Sequence, residues 1–264
     1  MIVDKSYPGL TMDEYGIYHL EGDLVSEDSI VIQLGGQLIV SGSIDAGESI
    51  KAENGINAGG SIKAGGSINA SGFIYAGGSI DAGGFINAGG VINAGKSIKA
   101  GGSIKSGEFI NAGESIDAVW SIDAGKSIDA GGSIDAGGFI DAEEFINAGK
   151  SIDAGESIDA GEFINAGGYI DAGKSIDAVW SIDAGGSIDA GWSINAGGSI
   201  KAENGINAGS YIRANTYVSS GFRIFAGLSL YETSDTCDKT IQCAELRNGE
   251  IAYGELVITV GANE

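Results

Sequence analysis

Isoleucine recurs at every sixth position from Ile44 to Ile212 without one insertion or deletion, which makes 29 consecutive hexads. The consensus is Ser-Ile-Asp-Ala-Gly-Gly, as at residues 133–138. Ile and Ala lie two apart, so an extended chain points both to one side, and Ser and the Asp, Asn or Lys to the other. The pattern predicts a short strand followed by a tight corner, with the Gly-Gly pair supplying the backbone freedom that a corner needs. A helix would require apolar residues at i, i+3, i+4 and i+7, which a six-residue period does not give. The same phase extends outward through Ile32 and Leu38, and onward through Val218, Ile224 and Leu230.

A strict hexad period is the signature of a β-helix whose coils hydrogen-bond to one another along the axis. Three hexads, 18 residues, make one coil. Bulky residues in the slot before isoleucine support that number, since Phe73, Val91, Phe109, Phe145 and Phe163 are separated by 18 or 36. The expected fold is all-β, a single-stranded triangular β-helix of 18 residues per coil and about 11 coils, rising about 4.8 Å each to near 50 Å. Open solenoid ends expose apolar cross-sections and strand edges, so caps are expected at both. Residues 1–31, with Tyr15, Ile17, Tyr18 and Leu20, read as the N-terminal cap, and residues 32–218 as the solenoid. Residues 219–264 read as a C-terminal cap or dimerisation element. They carry Phe222, Ile224, Phe225, a polar loop near Thr233–Lys239 and the run from Glu255 to Val260.

The slot pattern aliphatic-x-small-x-Gly-x resembles that of bactofilin-type, polymer-forming solenoids over about three quarters of the chain. The resemblance implies a right-handed triangular β-helix. The left-handed acyltransferase solenoids resemble it less. They place a small inward residue four positions after the aliphatic one, where this chain has Gly, Glu144, Lys150 or Trp120. Such a likeness concerns architecture and does not carry function with it.

Composition narrows the function. The 47 glycines come with a single proline and no three-residue period, which excludes collagen. A hydrophobic content of 43% is too high for an acidic disordered chain. The formal net charge is −22, so direct binding to nucleic acid or to an anionic membrane is not expected, whereas a basic protein is a favoured partner. No apolar run reaches the roughly 20 residues of a membrane helix. The N-terminus lacks the basic and apolar regions of a signal peptide. Cys237 and Cys243 make no disulfide framework and, without nearby histidines, a poor zinc site. Two reduced thiols in a cytoplasmic protein are expected.

The acidity is uneven. Residues 43–106 hold four acidic residues and five lysines, and residues 107–192 hold 17 and three, a net of −14. Over about 23 Å of solenoid this is about one net charge per 1.6 Å, against about 1.7 Å for B-DNA. Spacing by 18 predicts one outward ladder of Asp117, Asp135, Asp153, Asp171 and Asp189, and a second of Asp123, Asp141, Asp159 and Asp177. The third face is mostly amide, with Tyr75, Asn93, Asn111, Asp129, Asn147, Asn165 and Asp183, and it carries the Phe73–Phe163 series. These Asp ladders are the candidate partner-binding surface, although charge that only keeps a solenoid soluble is the plainer reading. Calcium between the ladders is disfavoured, because the spaced carboxylates and glycine-rich nonapeptides of calcium β-rolls are missing. The series Phe73, Val91, Phe109, Phe145 and Phe163 is either coil-to-coil packing or the interface of a homodimer. Trp120, Trp180 and Trp192 occupy corner slots where Gly is usual, and could anchor a partner or pack over a corner.

Catalytic chemistry is hard to assemble. The one histidine, His19, has no Ser or Cys partner set, and a regular carboxylate array singles out no one group. No loop interrupts the hexads to build a lyase-like cleft. No enzyme activity, cofactor or metal is expected. Two functions fit: an acidic rod that mimics nucleic acid and blocks a DNA- or RNA-binding protein, as an anti-restriction or anti-CRISPR protein of a virus or phage would, or a filament or stalk module.

Overall fold

The computed structural model describes residues 1–227 and 238–259, which form strands, turns and bends with no helix among them. Leu230, Cys237, Val260 and most of the loop near Thr233–Lys239 lie outside the described residues. The chain divides into two compact units, Met1–Gly132 and Ser133–Glu264.

Each hexad from Ile44–Ala46 to Ile212–Ala214 folds as one three-residue strand. In the first unit these strands form three parallel ladders. The first face runs from Ile44–Ala46 to Ile116–Ala118. The second runs from Ile50–Ala52 to Ile122–Ala124, and the third from Ile56–Ala58 to Ile128–Ala130. In the second unit the corresponding faces begin at Ile134–Ala136, Ile140–Ala142 and Ile146–Ala148. Within these ladders each residue pairs with the one 18 positions on, so three hexads do make one coil.

The interior follows from the alternation. Every hexad isoleucine is fully buried and the alanines are at most 7% exposed. Each buried isoleucine side chain contributes about 1.5–3 kcal/mol relative to an exposed one. Backbone groups are satisfied from coil to coil: Ile62 N–H donates to Ser79 O at 2.9 Å, and Gly77 N–H to Ala58 O at 2.9 Å. The serines have a task that the hexad pattern alone does not reveal. Ser43 Oγ accepts the N–H of Ser61 at 3.1 Å, Ser61 Oγ that of Ser79 at 3.2 Å, and Ser67 Oγ that of Phe85 at 3.0 Å. A backbone donor that the strand pairing leaves over is thereby satisfied.

The corner glycines work differently from the expectation. None of them has a left-handed φ; the positive values fall on Gly9, Gly16, Gly22, Gly227, Gly249 and Gly254, all outside the hexads. Their requirement is space. A Cβ on Gly155 would lie 2.3 Å from Gly137 O in the neighbouring coil, and one on Gly77 would lie 2.3 Å from Gly59 O.

At the N-terminal side the hexad phase shifts. Ile30 pairs with Ile50 and Ile32 with Ala52, so Ile30, not Ile32, holds the isoleucine slot. The turn that follows, before Leu38–Val40, is two residues longer than a hexad corner, and Leu34 fills it, fully buried. Asn54 Nδ2 donates to Leu34 O at 2.7 Å and holds that turn. Tyr18–Leu20 and Leu24–Ser26 already pair in parallel with Leu38–Val40 and Ile44–Ala46. Thr11–Met12 adds an antiparallel strand on Tyr18–His19. In the second unit Val218 and Ile224 keep the 18-residue register within one continuous strand, Tyr217–Ala226. Thr240–Cys243, Glu245–Tyr253 and Glu255–Ile258 add further parallel strands. Because both terminal segments continue the coils, the described residues make about thirteen turns, against the eleven expected.

Candidate functional site: the aspartate ladders

The residue between Ile and Ala in each strand points outward, and parallel in-register pairing stacks identical slots about 4.8 Å apart. In the second unit the first face therefore aligns Asp135 with Asp153, Asp153 with Asp171, and Asp171 with Asp189. The second face aligns Asp141 with Asp159 and Asp159 with Asp177. Both rows end on an amide. Asn207 Nδ2 donates to Asp189 Oδ1, and Asn195 Nδ2 donates to Asp177 Oδ1 at 2.7 Å. The third face reads Asn147, Asn165, Asp183 and Lys201, with Lys201 Nζ 3.5 Å from Asp183 Oδ1.

Stacked carboxylates raise one another's affinity for protons. Asp159 is pushed above the usual carboxylate range by partial burial in its row and then by Asp141 and Asp177. Asp171 is pushed up by burial and by Asp153 and Asp189. Each is flanked by like charge on both sides.

The expected ladders also included Asp117 and Asp123, which belong to the first unit. There Asp117 Oδ2 lies 3.7 Å from Lys99 Nζ and Asp123 Oδ2 lies 2.6 Å from Lys105 Nζ. The first face of that unit alternates in sign through Asp45, Lys63, Asp81, Lys99 and Asp117. Between residues 65 and 132 there are six acidic residues and four lysines, a net of −2; between 133 and 200 there are twelve and two, a net of −10.

All three tryptophans are exposed: Trp120 by 56%, Trp180 by 62% and Trp192 by 52%. The Phe73 series is half-buried, and most of its rings pack on neighbouring side chains. Phe73 stacks on Tyr75 at 4.6 Å, Phe145 on Phe163 at 5.2 Å, and Lys126 Nζ sits 4.9 Å over Phe109. More exposed than these are Phe85, Phe139 and Tyr169. They occupy the same slot before isoleucine but on the other two faces, and no two of them stand in successive coils of one face, so they form no unbroken series.

Two inward serines were also not anticipated. Ser106 and Ser220 replace the buried alanine, and each donates to a corner carbonyl: Ser106 Oγ to Phe109 O at 3.0 Å in its own coil, and Ser220 Oγ to Asn204 O at 2.6 Å in the coil before. His19 Nε2 lies 3.0 Å from Asp13 Oδ2, and that hydrogen bond lowers the proton affinity of Asp13. Cys243 is fully buried, and burial pushes its thiol up. Among the described residues no group of three His, Cys, Asp or Glu side chains is placed to hold a metal ion. Comparison with protein-family models, with curated proteins and with solved structures finds no match.

Proposed function

We propose that this protein is a non-enzymatic acidic solenoid that binds a basic protein partner, most concretely as a mimic of nucleic acid occupying the groove of a DNA- or RNA-binding protein. The observation that carries this reading is the pair of in-register Asp rows on adjacent faces of the second unit. Residues 133–200 cover almost four coils, so their net charge of −10 amounts to about one charge per 1.8 Å, close to the ~1.7 Å of B-DNA. A row of fixed carboxylates offers charge-assisted, partly bidentate partners to Arg and Lys and steers a cationic surface toward it. Anti-restriction or anti-CRISPR inhibition by a viral or phage protein is the biological setting that fits, in the cytoplasm. The slot pattern further supports a right-handed, bactofilin-like coil, and the half-buried Phe stripe remains the candidate surface for a homodimer.

The test is competitive. A protein captured by the immobilised chain is expected to be displaced by duplex DNA or RNA. It is also expected to be lost when Asp141, Asp159 and Asp177 are replaced by Asn. Capture that survives the three substitutions, or that nucleic acid does not displace, overturns the reading. A structural filament or stalk module is the second reading. It is favoured by the terminal strand Glu255–Ile258, where Leu256, Val257 and Ile258 are 40–50% exposed along an edge. Electron microscopy showing only discrete particles at high concentration would count against it.

A further inference from the structure

The tetrapeptide Ala-Val-Trp-Ser occurs twice, at residues 118–121 and 178–181, and each copy puts two apolar side chains on a corner where Gly-Gly is usual. Their surroundings differ. In the first unit the slot one coil before Trp120 is Gly102, whose carbonyl accepts the Trp120 N–H at 3.3 Å. Phe85 lies over that glycine, and the Trp120 ring meets it edge-on at 5.5 Å. In the second unit the slot one coil before Trp180 is Glu162, whose carbonyl accepts the Trp180 N–H at 2.7 Å. The slot one coil after is Gly198, which brings no side chain of its own to that corner. Trp180 has no aromatic or cationic ring partner among the described residues, and Val179 beside it is 60% exposed. Val179, Trp180, Ser181, Gly197 and Gly198 line an open groove of about 360 Å³.

We infer that this corner is a docking point for an arginine or lysine side chain of a basic protein segment, held by its cation against the face of Trp180. The chemistry of the rim selects that occupant. The corner column reads Glu143-Glu144, Gly161-Glu162, Val179-Trp180 and Gly197-Gly198, without a basic residue. The Asp159–Asp177 row runs along the adjoining face. An indole face attracts a cation through its quadrupole, most strongly with Trp, and a neighbouring carboxylate adds to the attraction. The glycines opposite leave room for the approach. The inference rests on the acidic-surface reading and narrows it to a named anchor, placed where an acidic corner column meets an Asp row.

The probe is an octa-arginine peptide, titrated into isotopically labelled protein while the three indole N–H resonances are followed. The Trp180 resonance is expected to move, with those of Trp120 and Trp192 moving less. Trp180→Leu is expected to weaken binding about 2- to 30-fold, and Trp180→Phe, which keeps an aromatic face, to weaken it less. Because Trp180 is exposed, both variants are expected to keep the wild-type unfolding transition. If octa-arginine binds with salt-dependent affinity but Trp180→Leu binds as well as wild type, the anchor is refuted while the acidic surface stands. If octa-arginine does not bind at all, both fall.

Discussion

On the first face of the first unit the outward slots read Asp45, Lys63, Asp81, Lys99 and Asp117; on the first face of the second they read Asp135, Asp153, Asp171, Asp189 and Asn207. Behind both rows stand the same buried isoleucines and alanines. The fold therefore does not dictate the sign of these charges. Opposite charges directly across a pair of strands contribute about 0.2–1 kcal/mol, and like charges cost a similar amount. The first unit has the arrangement that stability alone favours. The second gives it up at successive coils on two faces, and those are the rows assigned to a basic partner.

The comparison can be broken first from the inside. Ile80→Ala and Ile170→Ala each remove a fully buried side chain from the isoleucine slot of the first face, and each is expected to cost about 2–5 kcal/mol in urea unfolding. A large inequality between them would mean that the two interiors are not equivalent, and the charge contrast would lose its control. The surface comes next. Asp171 stands between two aspartates and Asp81 between two lysines. At neutral pH and low salt, Asp171→Asn is expected to stabilise by about 0.2–1 kcal/mol, and Asp81→Asn to destabilise by a similar amount. The same sign in both would break the comparison.

The smallest effect expected is that of pH. Asp159 and Asp171 hold their protons more tightly folded than unfolded, because their folded values lie above the ordinary 3.8. Their repulsion is therefore relieved as pH falls from neutral toward 3.8, and stability should rise over that window. Asp13 works in the opposite sense: its lowered value means that its contribution is lost only below 3.8. Thermal unfolding should show a modest gain as pH falls toward 3.8, reduced in an Asp159→Asn, Asp171→Asn double variant and by added salt.

Much of this molecule is legible from periodicity. The coil length, the inward Ile and Ala, and the membership of each outward row follow from counting by six and by 18, because a solenoid repeats one local environment. What periodicity misses depends on contacts between unlike residues. Ile32 looked in phase, but the longer turn filled by Leu34 gives its slot to Ile30. The corner glycines are set by the carbonyl one coil away, such as Gly137 O beside Gly155, and not by backbone handedness. Asp117 and Asp123 match the Asp rows by number, yet each has a lysine one coil before it. Counting acidic residues along the chain does not distinguish a paired aspartate from a stacked one. Phe85 finds Trp120 through a glycine, which no spacing announces.

The most direct measurement is the salt dependence of octa-arginine binding in two matched double variants, Asp153→Asn with Asp171→Asn, and Asp45→Asn with Asp81→Asn. Each removes two negative charges from the first face of one unit. The first pair is expected to weaken binding about 2- to 30-fold at low salt and to flatten its salt dependence, while the second leaves both close to wild type. Equal losses from the two pairs, or none from the first, would contradict the assignment of the binding surface to the aspartate rows of the second unit.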